Sequence, residues 1–228
     1  MIIQKPRAII WDMDGVIADT AFAHLESWQV AYQKQGIAFF EEDFQKVFGQ
    51  RNDVIIRQLR GNEFSQTLVD AISLDKEVYF RENIVKNLKP FPGVVALLQL
   101  LRQQGIKSAI GSSAPLENIQ VILRGLQIED YFQAIVFGLE VKKGKPFPDV
   151  FQKAAQKLGV EPSRCIVIED AIVGVEAARR ASMHCIAVTN THDAESLKEA
   201  DLVVDSLEKV DINELIRLFD LPVKTIKN

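Results

Sequence analysis

The chain is poor in the residues and runs that mark several protein classes. Cysteine is scarce, two in 228 residues, and both Cys165 and Cys185 stand in apolar, strand-like runs with no metal-site spacing. A thiol in such a run behaves as a small hydrophobe, and a reduced, cytoplasmic protein is expected. No apolar run approaches the ~18 residues of a membrane span. The stretch Met1-Ile2-Ile3-Gln4-Lys5-Pro6-Arg7 lacks the long apolar core and small-residue cleavage pattern of a secretory signal. Positive charge is not in excess either: 27 Lys and Arg face 31 Asp and Glu, for a net charge of −4. Only Lys142, Lys143 and Lys145 cluster, so neither nucleic acid nor an anionic membrane is an expected partner. Internal repeats and low-complexity tracts are missing. What remains is a globular composition, 47% hydrophobic and 25% charged, in a length that suits one domain with an insertion or two small domains. Nothing in it sets an oligomeric state, and a monomer is compatible with it.

The organising stretch is Ile9-Ile10-Trp11-Asp12-Met13-Asp14-Gly15-Val16. It opens as a buried strand and closes on two carboxylates and a glycine. In an extended chain residues two apart point the same way, so Asp12 and Asp14 are expected to share one side of the strand end. Two anions that close repel unless a cation lies between them. As a pentapeptide, the motif also reads simply as acidic residues in a turn after a strand.

Beyond Gly15, residues 19–36 read as a helix and residues 41–87 as further polar helical stretches punctuated by Gly49 and Gly61. Lys89-Pro90-Phe91-Pro92-Gly93 breaks the block. From there helices and strands alternate: helix from Val94, strand 106–111, helix 116–125, strand 134–138, helix 149–158, strand 164–168, helix 171–181, strand 185–189, strand 202–204 and a closing helix 212–219. Strands joined through single helices cannot be hairpins, so they pair in parallel with right-handed crossovers. The expected fold is α/β: a Rossmann-like parallel sheet core with helices on both faces, residues 1–18 and 88–228, and an inserted α-helical cap domain, residues 19–87. In such sheets ligands bind beyond the carboxyl ends of the strands, where Asp12 and Asp14 fall.

Three further stretches carry chemistry. The run Cys165-Ile166-Val167-Ile168 ends in Glu169-Asp170, a second acidic pair at a strand tip. Were that strand beside the first, Asp12, Asp14, Glu169 and Asp170 would meet at one rim, and a hard cation such as Mg²⁺ would account for them. The same pair also suits the N-terminus of the following alanine-rich helix, and both readings can hold together. Gly111-Ser112-Ser113-Ala114-Pro115 offers hydroxyls and a helix start to a phosphate, although serine-rich turns before helices are common. Lys145, in a turn before a helix, either balances the carboxylates and holds a phosphoryl oxygen or is one member of a solvated basic turn.

In chain order, Asp12-Met13-Asp14-Gly15-Val16, Ser112, Gly144-Lys145-Pro146 and Glu169-Asp170 resemble the four motifs of the haloacid dehalogenase-like superfamily of aspartyl phosphotransferases. The likeness spans nearly the whole chain and, with Asp19-Thr20, His24 and Glu169-Asp170-Ala171-Ile172-Val173-Gly174-Val175, is nearest to the β-phosphoglucomutase-like sugar phosphatases and mutases. It implies Asp12 as nucleophile, Asp14 as acid and base with a pKa raised on cap closure, Ser112, Ser113 and Lys145 as phosphate holders, and Mg²⁺ held by Asp12, Asp14 (through its backbone carbonyl), Glu169 and Asp170. His24 is either a substrate-bonding helper at the cap hinge or a histidine on an ordinary amphipathic helix, whereas His184 and His192 read as structural or exposed. Arg51 and Asn52 are candidate substrate binders, but Phe48-Gly49-Gln50-Arg51-Asn52 departs from the Lys-Gly-x-Ser-Arg-like element of the mutases. The expectation is a phosphatase acting on a small phosphorylated sugar or related metabolite, with β-phosphoglucomutase as the alternative and an inactive phosphate-binding protein as a third reading. A dehalogenase would not need Asp14, and the inserted helices and motif order argue against a receiver domain.

Overall fold

β1 (Ala8–Trp11) is fully buried and flanked by a strand on each side, because its residues are apolar on both faces rather than on alternate ones. The computed structural model describes residues 7–61 and 63–223; the signal-sequence reading of residues 1–6 and the outer ends of the expected domains lie outside the described residues. After β1 come α1 (Ala21–Gln33), α2 (Glu41–Gln45), α3 (Asn52–Arg60) and α4 (Gln66–Ile84). The chain continues through α5 (Val94–Gln103), β2 (Lys107–Gly111), α6 (Leu116–Gly125), β3 (Ala134–Val136), α7 (Asp149–Leu158) and β4 (Cys165–Glu169). It closes with α8 (Ile172–Arg180), β5 (His184–Val188), β6 (Leu202–Val204) and α9 (Ile212–Asp220).

The six strands form one parallel sheet in the order β3-β2-β1-β4-β5-β6. The chain moves outward from β1 to β3, then returns to lay β4 on the other side of β1. That reversal opens a crevice beyond the strand ends, the usual ligand position in such sheets. Register makes the crevice acidic: Trp11 lies level with Ile168 of β4 and Ile110 of β2, so Asp12 follows directly beside Glu169 and Gly111. The Asp12 N–H donates to the Ile168 carbonyl at 2.9 Å and secures that level.

Side chains alternate across the sheet. Ile9, Trp11, Ile110, Ile166 and Ile168 pack under α5, α6 and α9, while Ala8, Ile10, Ala109, Cys165 and Val167 pack under α7 and α8. Both cysteines are free and buried on that second face, where burial pushes the Cys165 thiol up to about 12, so they fill space. The helices between β1 and α5 have an apolar cluster of their own, around Trp28, Tyr32, Phe39, Phe44 and Ile56. α4 also reaches the sheet's core, since its last turns send Phe80 and Ile84 into the cluster beneath α5 and α6. No helix among the described residues is long and apolar enough to cross a membrane.

Candidate active site

Three segments distant in sequence meet at the crevice. Asp12, Lys145, Glu169 and Asp170 are each at most 4% exposed. The Lys145 ammonium donates to Asp12 Oδ1 at 2.5 Å and to Glu169 Oε1, and lies over the ring of Phe151 in α7. Oxygens of Asp12, Glu169 and Asp170 lie within 4.8 Å of one another. Burial raises the Asp12 carboxyl, Lys145 pulling against it and the charges of Glu169 and Asp14 adding to it, and the result is about 8. Asp170 is raised well above the usual carboxylate range by burial and by the charges of Glu169 and Asp12. Lys145 is raised too, because its two carboxylate partners outweigh its burial.

These residues fit a divalent cation. Asp12 accepts through Oδ1 and the Asp170 carboxylate through Oδ2, which leaves one oxygen of each free of hydrogen bonds among the described residues. Hard oxygen donors at this density suit Mg²⁺, and two positive charges would relieve the repulsion that raises Asp12 and Asp170.

Glycine makes the cluster possible at two points. A Cβ on Gly15 would lie 1.9 Å from Asp170 Oδ2, and the residue turns at φ +78°, a conformation glycine adopts without strain. A Cβ on Gly174, in the first turn of α8, would lie 1.8 Å from Glu169 Oε1. Glu169 folds back into that gap, and its Oε2 accepts the N–H groups of Asp170 and Ala171 at 2.8 and 2.9 Å. Glu169 therefore joins the carboxylate cluster and sits at the N-terminus of α8, where it binds the N–H groups just ahead of the first turn rather than those within it.

Asp14 stands apart from the expected cluster of four carboxylates. The extended backbone stops at Trp11, and the chain turns at once, with Ile17 N–H donating to the Met13 carbonyl at 2.9 Å. Asp14 therefore lies beyond the strand, in the turn, although its side chain lines the same cavity as Asp12. The Asp14 carboxylate accepts from Thr20 Oγ1 at 2.7 Å and lies 3.0 Å from His24 Nε2, and the side chains at the rim are three carboxylates, not four. Nor is its pKa raised in this state. Burial acts to raise it, but His24 and Thr20 outweigh burial and hold the group below the usual range.

Ser112, Ser113 and Asn52 line one small cavity with Asp12, Asp14 and His24. Ser112 Oγ accepts the Ala114 N–H at 3.1 Å. His24 stacks on Phe80 with ring centroids 4.1 Å apart. Arg51 is not on the cavity wall. Its guanidinium is bidentate to Asp53 at 3.0 and 2.8 Å and reaches the carbonyls of Gly138 and Val141, tying the helical unit to the sheet unit.

Sequence reasoning missed Lys76 and Glu77, both buried on the cavity wall. The signal existed, for Lys76 occupies the apolar stripe Val69, Ile72, Lys76, Phe80 of α4. It also missed the loop after β5. There Asn190 donates to the Gly15 carbonyl at 2.8 Å, Thr191 Oγ1 to Asp170 Oδ2, and His192 Nδ1 lies 3.1 Å from the Asp170 carbonyl. His184, by contrast, is structural as expected, buried in β5 beside Asp201 and the Leu221 carbonyl.

The family's sequence model, described as haloacid dehalogenase-like hydrolase, matches residues 9–188. The chain belongs to this family. Among the relatives this hydrolase resembles, a phosphorylated carbohydrates phosphatase from Thermotoga maritima is 30% identical over 203 residues, which cover 86% of this chain and 92% of that protein. A β-phosphoglucomutase from Bacillus subtilis is 34% identical over 209 residues, 87% of this chain and 88% of the mutase. The crystal structure of a β-phosphoglucomutase from Clostridium difficile superposes with a TM-score of 0.84 at 29% identity, covering 94% of this chain and 97% of that one. This hydrolase thus shares its six-stranded parallel sheet and surrounding helices with β-phosphoglucomutase structures.

Proposed function

We propose that the chain is a Mg²⁺-dependent phosphatase that hydrolyses a small sugar phosphate, or a related phosphorylated metabolite, through an aspartyl phosphate on Asp12. The observation that carries this reading is the convergence of Asp12, Lys145 and the Glu169-Asp170 pair from three segments beyond the strand tips. Asp12, Glu169 and Asp170 would hold the Mg²⁺, which supplies charge neutralisation between nucleophile and phosphate. Asp12 attacks phosphorus in line, with Lys145 and Ser112 holding the transferring group. Asp14, ionised beside His24 and Thr20, is set to take the proton of the water that attacks the acyl phosphate. In the first half-reaction Asp14, in its protonated form, gives its proton to the leaving oxygen, and the proton of the attacking water later restores it. The helices of residues 19–87 serve as the cap, and their separate apolar cluster supports that division.

The phosphatase is favoured over the mutase by Arg51. It stands where the mutases carry their basic element, yet its donors are bound by Asp53 and two backbone carbonyls. The test is purified protein with Mg²⁺ against a panel of sugar phosphates, with and without a bisphosphorylated hexose as primer. Release of inorganic phosphate, abolished in Asp12→Asn, is expected. Isomer interconversion without release identifies the mutase, and turnover that persists in Asp12→Asn refutes the nucleophile.

A further inference from the structure

Lys76 and Glu77 are 3% and 6% exposed although they are consecutive in α4. Successive helical residues point about 100° apart, so burying both requires cover on two sides. The Lys76 ammonium lies over the rings of Phe80 and Trp28 at 5.2 and 5.5 Å. Glu77 is covered from the other side. Its Oε1 accepts from Lys76 Nζ and Asn52 Nδ2, each at 2.7 Å, and its Oε2 accepts from Asn118 Nδ2 of α6. Arg81 in turn donates to Asn118 Oδ1 at 3.1 Å. Against its burial, these partners hold the Glu77 carboxyl below its ordinary value.

The reacting steps proposed above leave this charge unused, yet it lines their cavity. Each basic side chain lining that cavity among the described residues already faces a carboxylate: His24 faces Asp14 and Lys76 faces Glu77. Just outside, Arg51 is bound to Asp53, and Arg81, which lines an adjoining cavity with Glu77, donates to the Asn118 amide oxygen. Neutral hydrogen-bonding groups are present on the wall, in Gln50, Asn52 and Ser113. Beyond the phosphate seat, the cavity is therefore furnished for hydroxyls and has no unmatched positive charge for a second anion.

We infer that Glu77 is a specificity-determining residue: by matching the charge of Lys76, it selects phosphate esters whose leaving group is an uncharged polyol or sugar over those carrying a second anion. The inference rests on the phosphatase reading and adds to it the charge of the leaving group. A second anion seated here would meet a buried carboxylate with no cation to spare, and like charges in a desolvated contact are strongly disfavoured.

Glucitol 6-phosphate and 6-phosphogluconate test it, because they differ in a terminal hydroxymethyl against a carboxylate. The wild-type enzyme is expected to favour glucitol 6-phosphate in kcat/KM. In Glu77→Gln, which keeps the shape and frees the Lys76 charge, the ratio should move toward 6-phosphogluconate by at least about tenfold, the scale of a desolvated charge contact. Lys76→Met should move it the other way. A merely structural role for Glu77 would lower both rates together. An unchanged ratio in folded Glu77→Gln, or a wild-type enzyme that takes both esters equally, overturns the inference. The second measurement needs no variant to fold. Failure of the wild-type enzyme to hydrolyse any ester would instead remove the phosphatase reading, and this inference with it.

Discussion

Replacing Gly174 by alanine sets two effects of opposite sign against each other. Gly174 is inside α8, where alanine should stabilise the helix by ~1 kcal/mol on propensity alone. The new Cβ, however, would lie 1.8 Å from Glu169 Oε1 and 1.9 Å from Cδ, so the carboxylate must leave its place. It then gives up the N–H groups of Asp170 and Ala171, and hydrogen bonds to a charged acceptor are worth ~1.5–3 kcal/mol each. The contact with Lys145 goes as well, and breaking a buried ion pair costs ~3–5 kcal/mol. These losses overlap because one carboxylate makes all three contacts, so the net expectation is a destabilisation of roughly 2–5 kcal/mol after the helix gain. At about 3 °C per kcal/mol for a chain of this size, the melting temperature should fall by roughly 6–15 °C. Urea and thermal unfolding of Gly174→Ala against wild type measure it. A variant as stable as wild type or more so, with activity intact, would refute the claim that the missing Cβ makes room for Glu169.

Two further outcomes follow from the supports of the carboxylate cluster. Thr191→Val removes the hydroxyl that donates to Asp170 Oδ2, and outer partners of metal ligands are commonly worth about tenfold or more in affinity. The Mg²⁺ dissociation constant read by titration calorimetry should rise by that order and recover in Thr191→Ser; an unchanged constant would sink the assignment. The second concerns pH. Because the Asp12 carboxyl moves from 3.8 to about 8 on folding, its contribution to the stability of the metal-free protein is full below pH 3.8 and is lost as pH rises through about 8. Melting temperature in a chelator should therefore fall between pH 6 and pH 8.5, and Mg²⁺ should flatten the trend. A metal-free protein that gains stability over this range would contradict the Asp12 shift.

Most of the sheet was legible because its strands are short apolar runs ended by polar turns, and single helices between them leave only parallel pairing. The bounds of α6, α7 and β6 agree with the sequence reading to the residue. The predicted helix 19–36 shortens to Ala21–Gln33, because Thr20 takes the cap position and gives its hydroxyl to Asp14. The juxtaposition of Asp12 with Glu169 and Asp170 was legible too, since carboxylates at adjacent strand tips need no further geometry to meet.

What was hidden depends on contacts across long sequence separations. The direction of Asp14 is set by a turn that begins one residue past β1 and by His24 in α1, and strand alternation cannot describe a residue beyond the strand. Local sequence likewise does not reveal the Gly138 and Val141 carbonyls, 87 and 90 residues away, that Arg51 reaches. Glu77 was invisible for the same reason: Asn118, 41 residues on, is needed to satisfy it. Lys76 alone had a local sign, a charge in an apolar helical stripe.

The central claim is that Asp12 carries the phosphoryl group. Rapid quenching of a single turnover with ³²P-labelled substrate, followed by peptide mapping, tests it most directly. A hydroxylamine-labile label on the peptide containing Asp12, absent from Asp12→Asn, is the predicted result; phosphate release at the wild-type rate with the label on another residue, or with no labelled protein at the earliest times, would contradict it.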